Sequence, residues 1–300
     1  MEKTKNRPLD PRPASTVILV REHEERLQVY LLKRSEQSGF FPGNYVFPGG
    51  AVDPEDTNSE FWKSRTNLSE DEVQSRFGKE IEIDRIFPYV VSAVRETFEE
   101  AGVLLAVDRE GAGNRDKVRE DRVENGLKNG WMGRLFFNEN WKLDLSKIWG
   151  WSHWITPELM KYRFDTMFFI AFMPPDQTCM PDNREMTDGI WISPEKGLAG
   201  NLAGGIPLSP PTVVTLTELL KYRSLKAMEG EIKKHNWGEE RRPRLIPSKD
   251  GPVILQPWDP MCEEDGDIDR KNLEQKLLPA GATFSRIWFH DGIWRPIAAR

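Results

Sequence analysis

The run RETFEEAG at residues 95–102 constrains this chain more than any other stretch. A helix over residues 90–101 would turn by about 100° per residue and have one apolar face. Glu96, Glu99 and Glu100 would gather roughly opposite that face. Three carboxylates on one turn repel each other and cost the helix stability. The pattern therefore indicates either a solvated acidic face or a site for a hard cation such as Mg²⁺ or Mn²⁺.

The composition is that of an ordinary soluble protein without basic character. The 300 residues are 38% hydrophobic and 30% charged, which suffices to bury the core of one large domain or of two modest ones. The net charge of -6 argues against broad nucleic-acid binding. If the ligand is anionic, metal ions would have to neutralise it.

Cysteine and histidine do not supply an alternative site. Two cysteines exclude a disulfide framework and a cysteine-rich zinc site, and the four histidines lack metal spacing. The polar N-terminus has no apolar signal core, and no apolar run is long enough to span a membrane. We therefore expect a cytoplasmic protein without a membrane partner, as a monomer or as a homodimer.

Strand and turn signals precede the acidic run. Strands are predicted at residues 16–20 and 27–32, joined through a charged turn at residues 24–25. A further short strand runs into Gly49 and Gly50. Paired glycines let a backbone approach a ligand closely, although an ordinary turn has the same sequence.

The segment between the glycine pair and the acidic run is polar and helix-prone. Ser69 and Glu72 have the spacing of a capping box, which predicts a short helix that Gly78 ends. After the acidic run, residues 114–137 are predicted to form an exposed helical segment because their charges are mixed.

The second half of the chain alternates strands with helices and ends in β-structure. Trp149, Trp151 and Trp154 are assigned to core packing, with stacking on a base as the alternative. Caps, apolar runs and Asp-Gly turns define the other elements. The predicted elements are strands at 164–172 and 190–192, a helix capped by Ser193, a helix over 209–229, and β-hairpins over 245–255 and 286–297.

The glycine pair and the acidic run together resemble the Nudix box, G-x5-E-x7-R-E-U-x-E-E-x-G-U, in which U is aliphatic. Arg95, the three glutamates and Gly102 match its second half, and Gly50 matches its first glycine. The 44 residues between Gly50 and Arg95 exceed the 13 of the pattern, so the box would carry an insertion of about 30 residues. Three carboxylates could serve as the first glutamate: Asp56, Glu80 and Glu82.

Other runs resemble the Nudix subgroup that has a long insertion inside the box. They are FPGG at 47–50, RFDTMFF at 163–169 and PPT at 210–212. Some members of this subgroup are coenzyme A diphosphatases. LLKRS at 31–35, followed by G-x3-FPGG, partly matches the signature associated with CoA. The resemblance covers roughly residues 15–225.

The resemblance implies an α/β fold, the Nudix α/β/α sandwich with a mixed central sheet between helices. The Nudix domain would span residues 1–240, with helical insertions at about 53–86 and 108–140. Residues 241–300 would form a small β-rich C-terminal extension packed on the same domain.

The resemblance also implies metal-dependent hydrolysis of a nucleoside diphosphate-linked substrate, in which water attacks phosphorus. The cofactor would be Mg²⁺ or Mn²⁺, and CoA or acyl-CoA is the first substrate expected. Glu96, Glu99 and Glu100 would bind metal, or one of them would act as the general base. The Gly50 carbonyl would be a further ligand, and Arg95 would orient a glutamate by an ion pair.

Residues outside the helix complete the predicted site. Glu185 lies where many members supply a late metal-binding carboxylate, although a plain loop glutamate is an equal interpretation. Phe47 and Phe164 are assigned to packing. Three residues near the glycine pair are assigned to substrate binding: Lys33, Arg34 and Gly49.

Two other functions stay open at this point. The same chemistry could act on ADP-ribose, NADH or another nucleotide, and a nucleotide-binding Nudix-fold sensor would bind without cleaving. The complete set of glutamates argues against a sensor, which does not need every one. Glu99→Gln or Glu100→Gln should remove activity and leave folding intact, because an exposed acidic turn is not part of the core.

Overall fold

A mixed β-sheet lies at the centre of the molecule, between two layers of helices. The computed structural model describes residues 10–77, 81–108, 115–124, 126–138, 140–234, 237–262 and 276–299. Among these, no helix has the length and apolarity needed to cross a lipid bilayer. Helices pack on both faces of the central sheet, which confirms the layers of the expected Nudix-type α/β/α arrangement.

The strands of the described segments fall into three sheets. The strands are β1 Arg12–His23, β2 Arg26–Arg34, β3 Tyr45–Val46, β4 Gly49–Ala51, β5 Ala106–Asp108, β6 Trp141–Leu143, β7 Ile148–Ile155, β8 Phe164–Phe172, β9 Met186–Ile192, β10 Glu240–Arg241, β11 Arg244–Ile246, β12 Val253–Leu255, β13 Arg286–His290 and β14 Ile293–Ile297.

Eight α-helices surround these sheets in the described part of the chain. The helices are α1 Ser59–Lys63, α2 Glu70–Phe77, α3 Ile83–Ala101, α4 Arg115–Glu124, α5 Trp131–Asn138, α6 Pro194–Leu202, α7 Pro210–Leu219 and α8 Leu225–Ile232.

The central sheet has the strand order β10-β7-β8-β1-β2-β3, with β4 paired to β1 and β9 paired to β2. β1 runs parallel to β8 and antiparallel to β2. The first part of β1 pairs with β4, so that Ser15 lies opposite Gly50. This pairing fixes the glycine pair at the start of the longest strand of the sheet.

Alternate side chains of the central strands enter two separate cores. Val17 and Leu19 of β1 pack with α2, α3 and α5 on one face. Ile18 and Val20 pack with α6, α7 and α8 on the other face, together with residues of the C-terminal sheet. The mixed sheet is therefore buried on both sides.

Helix α3, which carries the acidic run, begins earlier than predicted. It starts at Ile83 and contains Pro88 in its interior. Proline removes one helical hydrogen bond and usually lies in the first turn, which is why the sequence suggested a start near this residue. Ile86 and Phe87 are fully buried, and their burial stabilises the additional turn.

Local turn and cap signals predicted several boundaries correctly. Glu24 and Glu25 have φ of 50° and 58° and join β1 to β2 in the two-residue turn expected there. The Ser69 hydroxyl accepts from the Glu72 amide at 3.3 Å, and a Glu72 carboxylate oxygen accepts from the Ser69 amide at 2.8 Å, so the capping box before α2 is confirmed. Gly78, its predicted stop, lies outside the described residues.

Two helix predictions were wrong. The segment 114–137 is not uniformly exposed, because α5 buries Trp131, Met132, Leu135 and Phe136. The helix predicted over 209–229 is divided into α7 and α8. Ser224 caps the second helix by accepting from the Ala227 amide at 3.2 Å, a break that the apolar pattern alone did not reveal.

The C-terminal sheet has the order β11-β12-β13-β14 and consists of the two predicted hairpins joined by pairing of β12 with β13. Asp291 and Gly292 form the second turn with φ of 50° and 74°. Trp149, Trp151 and Trp154 lie on β7 in the core, which confirms the assignment to packing for Trp149 and Trp151, whereas Trp154 also lines a cavity.

Candidate active site

Two glutamates of α3, Glu96 and Glu100, face strand β4. The Gly49 amide donates to a Glu100 carboxylate oxygen at 2.8 Å. A Cβ atom added to Gly50 would lie 2.5 Å from the carboxyl carbon of Glu96, and one added to Gly49 would lie 2.2 Å from the Ser15 carbonyl oxygen. A side chain at position 49 would collide with the backbone of β1, and one at position 50 would displace the Glu96 carboxylate, so glycine is favoured at both positions.

The acidic face is not solvated as predicted. Glu100 is only 5% exposed, and the side chains of Glu96 and Glu99 are 14% and 29% exposed. Helical periodicity separated this face from the apolar one, but it could not show that β4 covers it. Burial of three carboxylates on one turn requires compensation, which solvent would otherwise supply.

Arg95 supplies part of that compensation. Its Nη1 donates to Glu96 at 2.8 Å and to Glu99 at 3.0 Å. Its Nη2 donates to the Ala51 carbonyl oxygen at 2.8 Å. One buried guanidinium thus holds two glutamates of the helix and the end of β4 in fixed relation, as expected for an arginine that orients the site.

Asp56 completes the arrangement around Arg95. It is 1% exposed and accepts from Arg95 Nη2 at 2.8 Å and from Arg95 Nε at 3.1 Å. Asp56 stands six residues after Gly50, the spacing of the first glutamate in the Nudix box. The insertion of 31 residues, 38 between Asp56 and Arg95 instead of 7, therefore follows this carboxylate.

The other two candidates for the first carboxylate do not lie there. Glu82 precedes the first residue of α3, thirteen residues before Arg95 and about 20 Å along the helix axis at 1.5 Å per residue. Glu80 lies outside the described residues. Asp56 is the carboxylate that the structure brings to Arg95.

The electrostatics of the site are unbalanced. Burial raises the pKa of Glu96 to about 7, although the charge of Arg95 lowers it. Burial also raises the pKa of Glu99, against the opposing effect of Arg95. For Glu100, burial and then the charge of Glu96 raise the pKa well above its usual value. The site contains more buried carboxylate than Arg95 neutralises.

Two residues from the predicted insertion at about 108–140, Arg122 and Trp131, contact the C-terminal part of α3. The indole Nε1 of Trp131 donates to Glu99 at 2.6 Å. Arg122 donates to the carbonyl oxygens of Glu99 and Glu100, both at 3.0 Å, and so caps the C-terminal end of α3. The sequence did not reveal these roles, because no spacing rule links a helix terminus to an arginine twenty residues later.

A cavity of about 550 Å³ opens beside the glutamates. Most residues assigned to the site from the sequence line it, including those far from the helix in the chain. The predicted residues in its wall are Arg34, Gly49, Gly50, Arg95, Glu96, Glu99, Glu100 and Glu185.

Lys33 is the one predicted site residue that does not line this cavity. Its ammonium group lies 3.8 Å from a carboxylate oxygen of Glu36. Neighbouring residues of a strand point to opposite faces, so Arg34 enters the cavity and Lys33 does not. Phe47 and Phe164 also line the cavity, where the Phe164 ring packs 5.3 Å from that of Phe40.

A second cavity of about 460 Å³ lies on the other side of Glu99. It shares Asp53, Arg95, Glu99 and Glu185 with the first cavity and adds the cations Lys128 and Arg184. Asp53, Glu99 and Glu185 therefore lie where the two cavities meet.

The donor set fits a divalent cation in part. Within the described residues, no three acidic, histidine or cysteine side chains converge into a ready coordination sphere. Mg²⁺, however, usually takes only one or two carboxylates and completes its shell with water and substrate phosphate. Glu96 and Glu100 offer hard oxygen donors beside Gly49 and Gly50, and burial raises the pKa of both carboxyls, so a cation bound there would stabilise their charged forms.

Known proteins share this sequence and fold. The family model described as the NUDT19 Nudix domain matches residues 11–219. Acyl-coenzyme A diphosphatase NUDT19 of Xenopus laevis is 27% identical over 88% of this chain and 81% of its own length. The human protein of the same name has the same identity and coverage.

Two further comparisons concern a nematode relative and a solved structure. Putative nudix hydrolase 7 of Caenorhabditis elegans is 28% identical over 74% of this chain and 66% of its own length. The crystal structure of a NUDIX hydrolase from Alicyclobacillus acidocaldarius aligns with a TM-score of 0.59 at 24% identity, covering 74% of this chain and 96% of its own. This structural likeness confirms the Nudix fold.

The family match spans more than half of the chain and includes the glycine pair, the acidic helix and Arg95. The resemblance stated from the sequence is therefore confirmed. This chain belongs to the NUDT19 Nudix domain family of Nudix hydrolases.

Proposed function

We propose that this protein is a divalent-metal-dependent diphosphatase that cleaves coenzyme A or acyl-CoA, with Mg²⁺ or Mn²⁺ as cofactor. The observation that carries the proposal is the complete set of Glu96, Glu99 and Glu100 at a cavity wall, the first two held by Arg95 and the third by the Gly49 amide, in a chain of this family. The relatives named acyl-coenzyme A diphosphatase support CoA as the substrate class.

The reaction is hydrolysis of a phosphoric anhydride. The oxygen of a water molecule forms a bond to one phosphorus, the bridging P–O bond breaks, and the bridging oxygen leaves with the other phosphate. The proton lost by the water passes to a carboxylate of the site. From CoA the products are 3′,5′-ADP and 4′-phosphopantetheine.

Within this scheme the chain positions charge rather than forming covalent intermediates. When bound, a divalent ion neutralises the diphosphate and lowers the pKa of water. Glu96, Glu99, Glu100 and the Gly50 carbonyl would hold it, with one of the three glutamates serving instead as the general base, and Glu185 at the junction of the cavities would add a late carboxylate. Arg95 keeps Glu96 and Glu99 in place.

The raised carboxylate pKa values support a role in proton transfer. A general base works best when its pKa is near the operating pH, and burial brings the pKa of Glu96 to about 7. Glu99 and Glu100 are alternatives for the base, since their pKa values are raised as well.

The proposal also covers what surrounds the site. Arg34 and Gly49 would contact substrate phosphates from the cavity wall. Residues 1–240 would be the Nudix domain and residues 241–300 an extension of it. Cytoplasmic location, the absence of a nucleic-acid partner and dimerisation stay predictions.

A product screen tests the proposal. The protein is incubated with CoA, an acyl-CoA, ADP-ribose, NADH and dinucleoside polyphosphates, each with Mg²⁺, Mn²⁺ or a chelator, and products are identified by mass. Metal-dependent release of 3′,5′-ADP from CoA is expected. Faster cleavage of ADP-ribose or NADH than of CoA would mean that this nucleotide, and not CoA, is the substrate. Nucleotide binding without cleavage in the presence of either metal would favour a sensor.

A further inference from the structure

The C-terminal sheet is packed firmly on the face of the molecule opposite α3. Ile254, Ile287 and Trp294 belong to the same buried cluster as residues of β1 and α7. The Asn201 side chain on α6 donates to the Trp294 carbonyl oxygen at 2.8 Å. The NUDT19 family match ends at residue 219, so this sheet lies beyond the matched domain.

Part of this sheet reaches the cavity beside the glutamates. Pro243, Ile254 and Gln256 line it, all from the region around β11 and β12. The remaining wall away from the carboxylates is mainly apolar. Its apolar residues include Phe40, Phe41, Met160, Phe164, Pro210 and Pro211.

Gln256 is the unusual residue of this wall. Gln256 is only 1% exposed. Its side-chain amide oxygen has no hydrogen-bond partner among the residues that the structure describes. The backbone is satisfied, because the Gln256 amide donates to Ser285 at 2.8 Å and its carbonyl accepts from Asp259 at 2.9 Å. A buried acceptor without a partner destabilises the fold. The unpaired amide oxygen of Gln256 therefore lowers the stability of the free protein, and a hydrogen-bond donor on a bound ligand would offset that loss.

The chemistry of the wall distinguishes the two ends of the substrate. Pantetheine is a mostly aliphatic chain with two secondary amides, so it presents apolar surface and amide N–H donors. The 3′,5′-ADP end carries phosphate charges that an apolar wall does not stabilise. An apolar surface with one unpaired acceptor matches the pantetheine end.

We propose that the C-terminal extension forms the wall that binds the pantetheine end, and that Gln256 accepts a hydrogen bond from one of its amide N–H groups. This inference rests on the proposed function and names a specificity-determining residue for it. In this proposal the extension contributes to substrate specificity, whereas α3 carries the glutamates used in hydrolysis.

The test compares wild type, Gln256→Met and the matched control Gln28→Met, whose position on β2 lies outside the cavity wall. Binding of 4′-phosphopantetheine and of 3′,5′-ADP is measured separately by calorimetry with the full chain and Mn²⁺, alongside thermal melting. Methionine keeps the length of the side chain and removes the acceptor. We expect about tenfold weaker binding of phosphopantetheine, equal to about 1.4 kcal/mol, with binding of 3′,5′-ADP unchanged.

The melting temperature separates a binding role from a structural one. Replacing an unpaired buried acceptor by an apolar group of the same shape is neutral or stabilising, so Gln256→Met should melt at or above the wild-type temperature. A clear loss of stability would mean that the amide holds the fold, and it would overturn the proposal. Gln28→Met should leave both affinities unchanged.

The remaining outcomes separate this proposal from the proposed function. If wild type cleaves CoA but Gln256→Met binds phosphopantetheine normally, or loses 3′,5′-ADP instead, the assignment of the wall is wrong and the activity stands. If wild type does not cleave CoA yet binds phosphopantetheine through Gln256, the activity is wrong and the wall stands.

Discussion

Among the residues that the structure describes, two buried aspartate–arginine pairs differ in how the charge of the arginine is balanced. Arg286 donates to Asp259 at 2.7 Å in the C-terminal extension, and Arg95 donates to Asp56 at 2.8 Å in the candidate active site. Both pairs are almost fully enclosed, with side-chain exposures between 0% and 9%. They differ in how many carboxylates share the guanidinium.

The pair in the extension is balanced. Burial raises the pKa of Asp259, but hydrogen bonds from Arg286 and Ser285 overcome it and leave the pKa below its usual value. In the site, Arg95 also serves Glu96 and Glu99, and burial keeps the pKa of Asp56 above its usual value. A balanced pair stabilises a fold, whereas a pair short of positive charge leaves room for a cation.

The largest expected effect is on catalysis. Glu100→Gln keeps the shape of the side chain and an acceptor for the Gly49 amide but removes the charge needed for a cation. We expect kcat/KM for CoA to fall on the order of 10²–10³-fold, and Glu99→Gln to behave alike. Steady-state kinetics with Mn²⁺ measure this, and the exposed Glu60→Gln on α1 is the matched control.

Folding should survive these substitutions for a reason different from the one the sequence suggested. The carboxylates are buried rather than exposed, but their raised pKa values mean that a neutral amide is tolerated well. Full turnover in both variants would contradict the assignment of the site.

The next effect is on stability, and it reverses the order of the two pairs. Asp259→Asn leaves Arg286 buried beside a neutral partner, so we expect a loss on the order of 3–5 kcal/mol in the free energy of unfolding. Asp56→Asn should cost less, because Arg95 keeps Glu96 and Glu99. Denaturant unfolding in a chelator measures both; an equal loss would mean that the pairs are electrostatically alike.

The pH dependence of stability sharpens the same contrast. Glu96 has a pKa of about 7 in the folded protein against an ordinary value of 4.5, so the folded state binds more protons than the unfolded chain between these values. Its stabilising contribution is complete below about pH 4.5 and is lost as the pH rises through about 7. Glu99 and Glu100 act in the same direction, because their pKa values are raised as well.

In a chelator, the melting temperature should therefore fall between pH 5 and pH 8, and Glu96→Gln should reduce the fall. Asp259 has a lowered pKa, so its contribution is lost only as the pH falls to acidic values and does not change in this window. A melting temperature that is constant from pH 5 to pH 8 would contradict the raised carboxylate pKa values.

The smallest expected effect concerns the support of Glu99. Trp131→Phe removes the indole N–H that donates to Glu99 at 2.6 Å. It keeps an aromatic ring beside Phe98, whose ring centroid lies 4.9 Å from that of Trp131 in the wild-type protein. A hydrogen bond to a charged group contributes about 1.5–3 kcal/mol, and the lower end of that range, for a bond that only positions Glu99, corresponds to a fall in kcat of about tenfold. Trp191→Phe on β9 is the matched control, and an equal effect of both variants would deny Trp131 a specific role.

Local patterns predicted those parts of the molecule that local interactions determine. The Asp-Gly turns fixed both C-terminal hairpins, and helical periodicity separated the glutamates from the apolar face of α3. The glycine pair and the second half of the box indicated the family from the sequence alone. These signals work because a turn or a helix face depends on neighbouring residues.

Contacts between distant residues were beyond such patterns. The pairing of Asp56 with Arg95 spans the whole first insertion, and the cover of Glu100 by Gly49 depends on where β4 pairs with β1. Trp131 and Gln256 reach the cavities from segments that the sequence presented as an exposed helix and as an unexplained tail. Packing of separate elements decides these positions, and no period in the sequence records it.

The charge deficit at Arg95 is most directly tested by titrating Mn²⁺ into the protein at pH 6.5 in buffers of different ionisation enthalpy. Binding should release protons, because the cation displaces them from Glu96 and its neighbours. Glu96→Gln should weaken binding and reduce the release, while Gln28→Met should change neither. Two results would contradict the claim that these buried carboxylates form the metal site. One is Mn²⁺ binding without proton release, and the other is Mn²⁺ binding in both Glu96→Gln and Glu100→Gln that is as strong as in wild type.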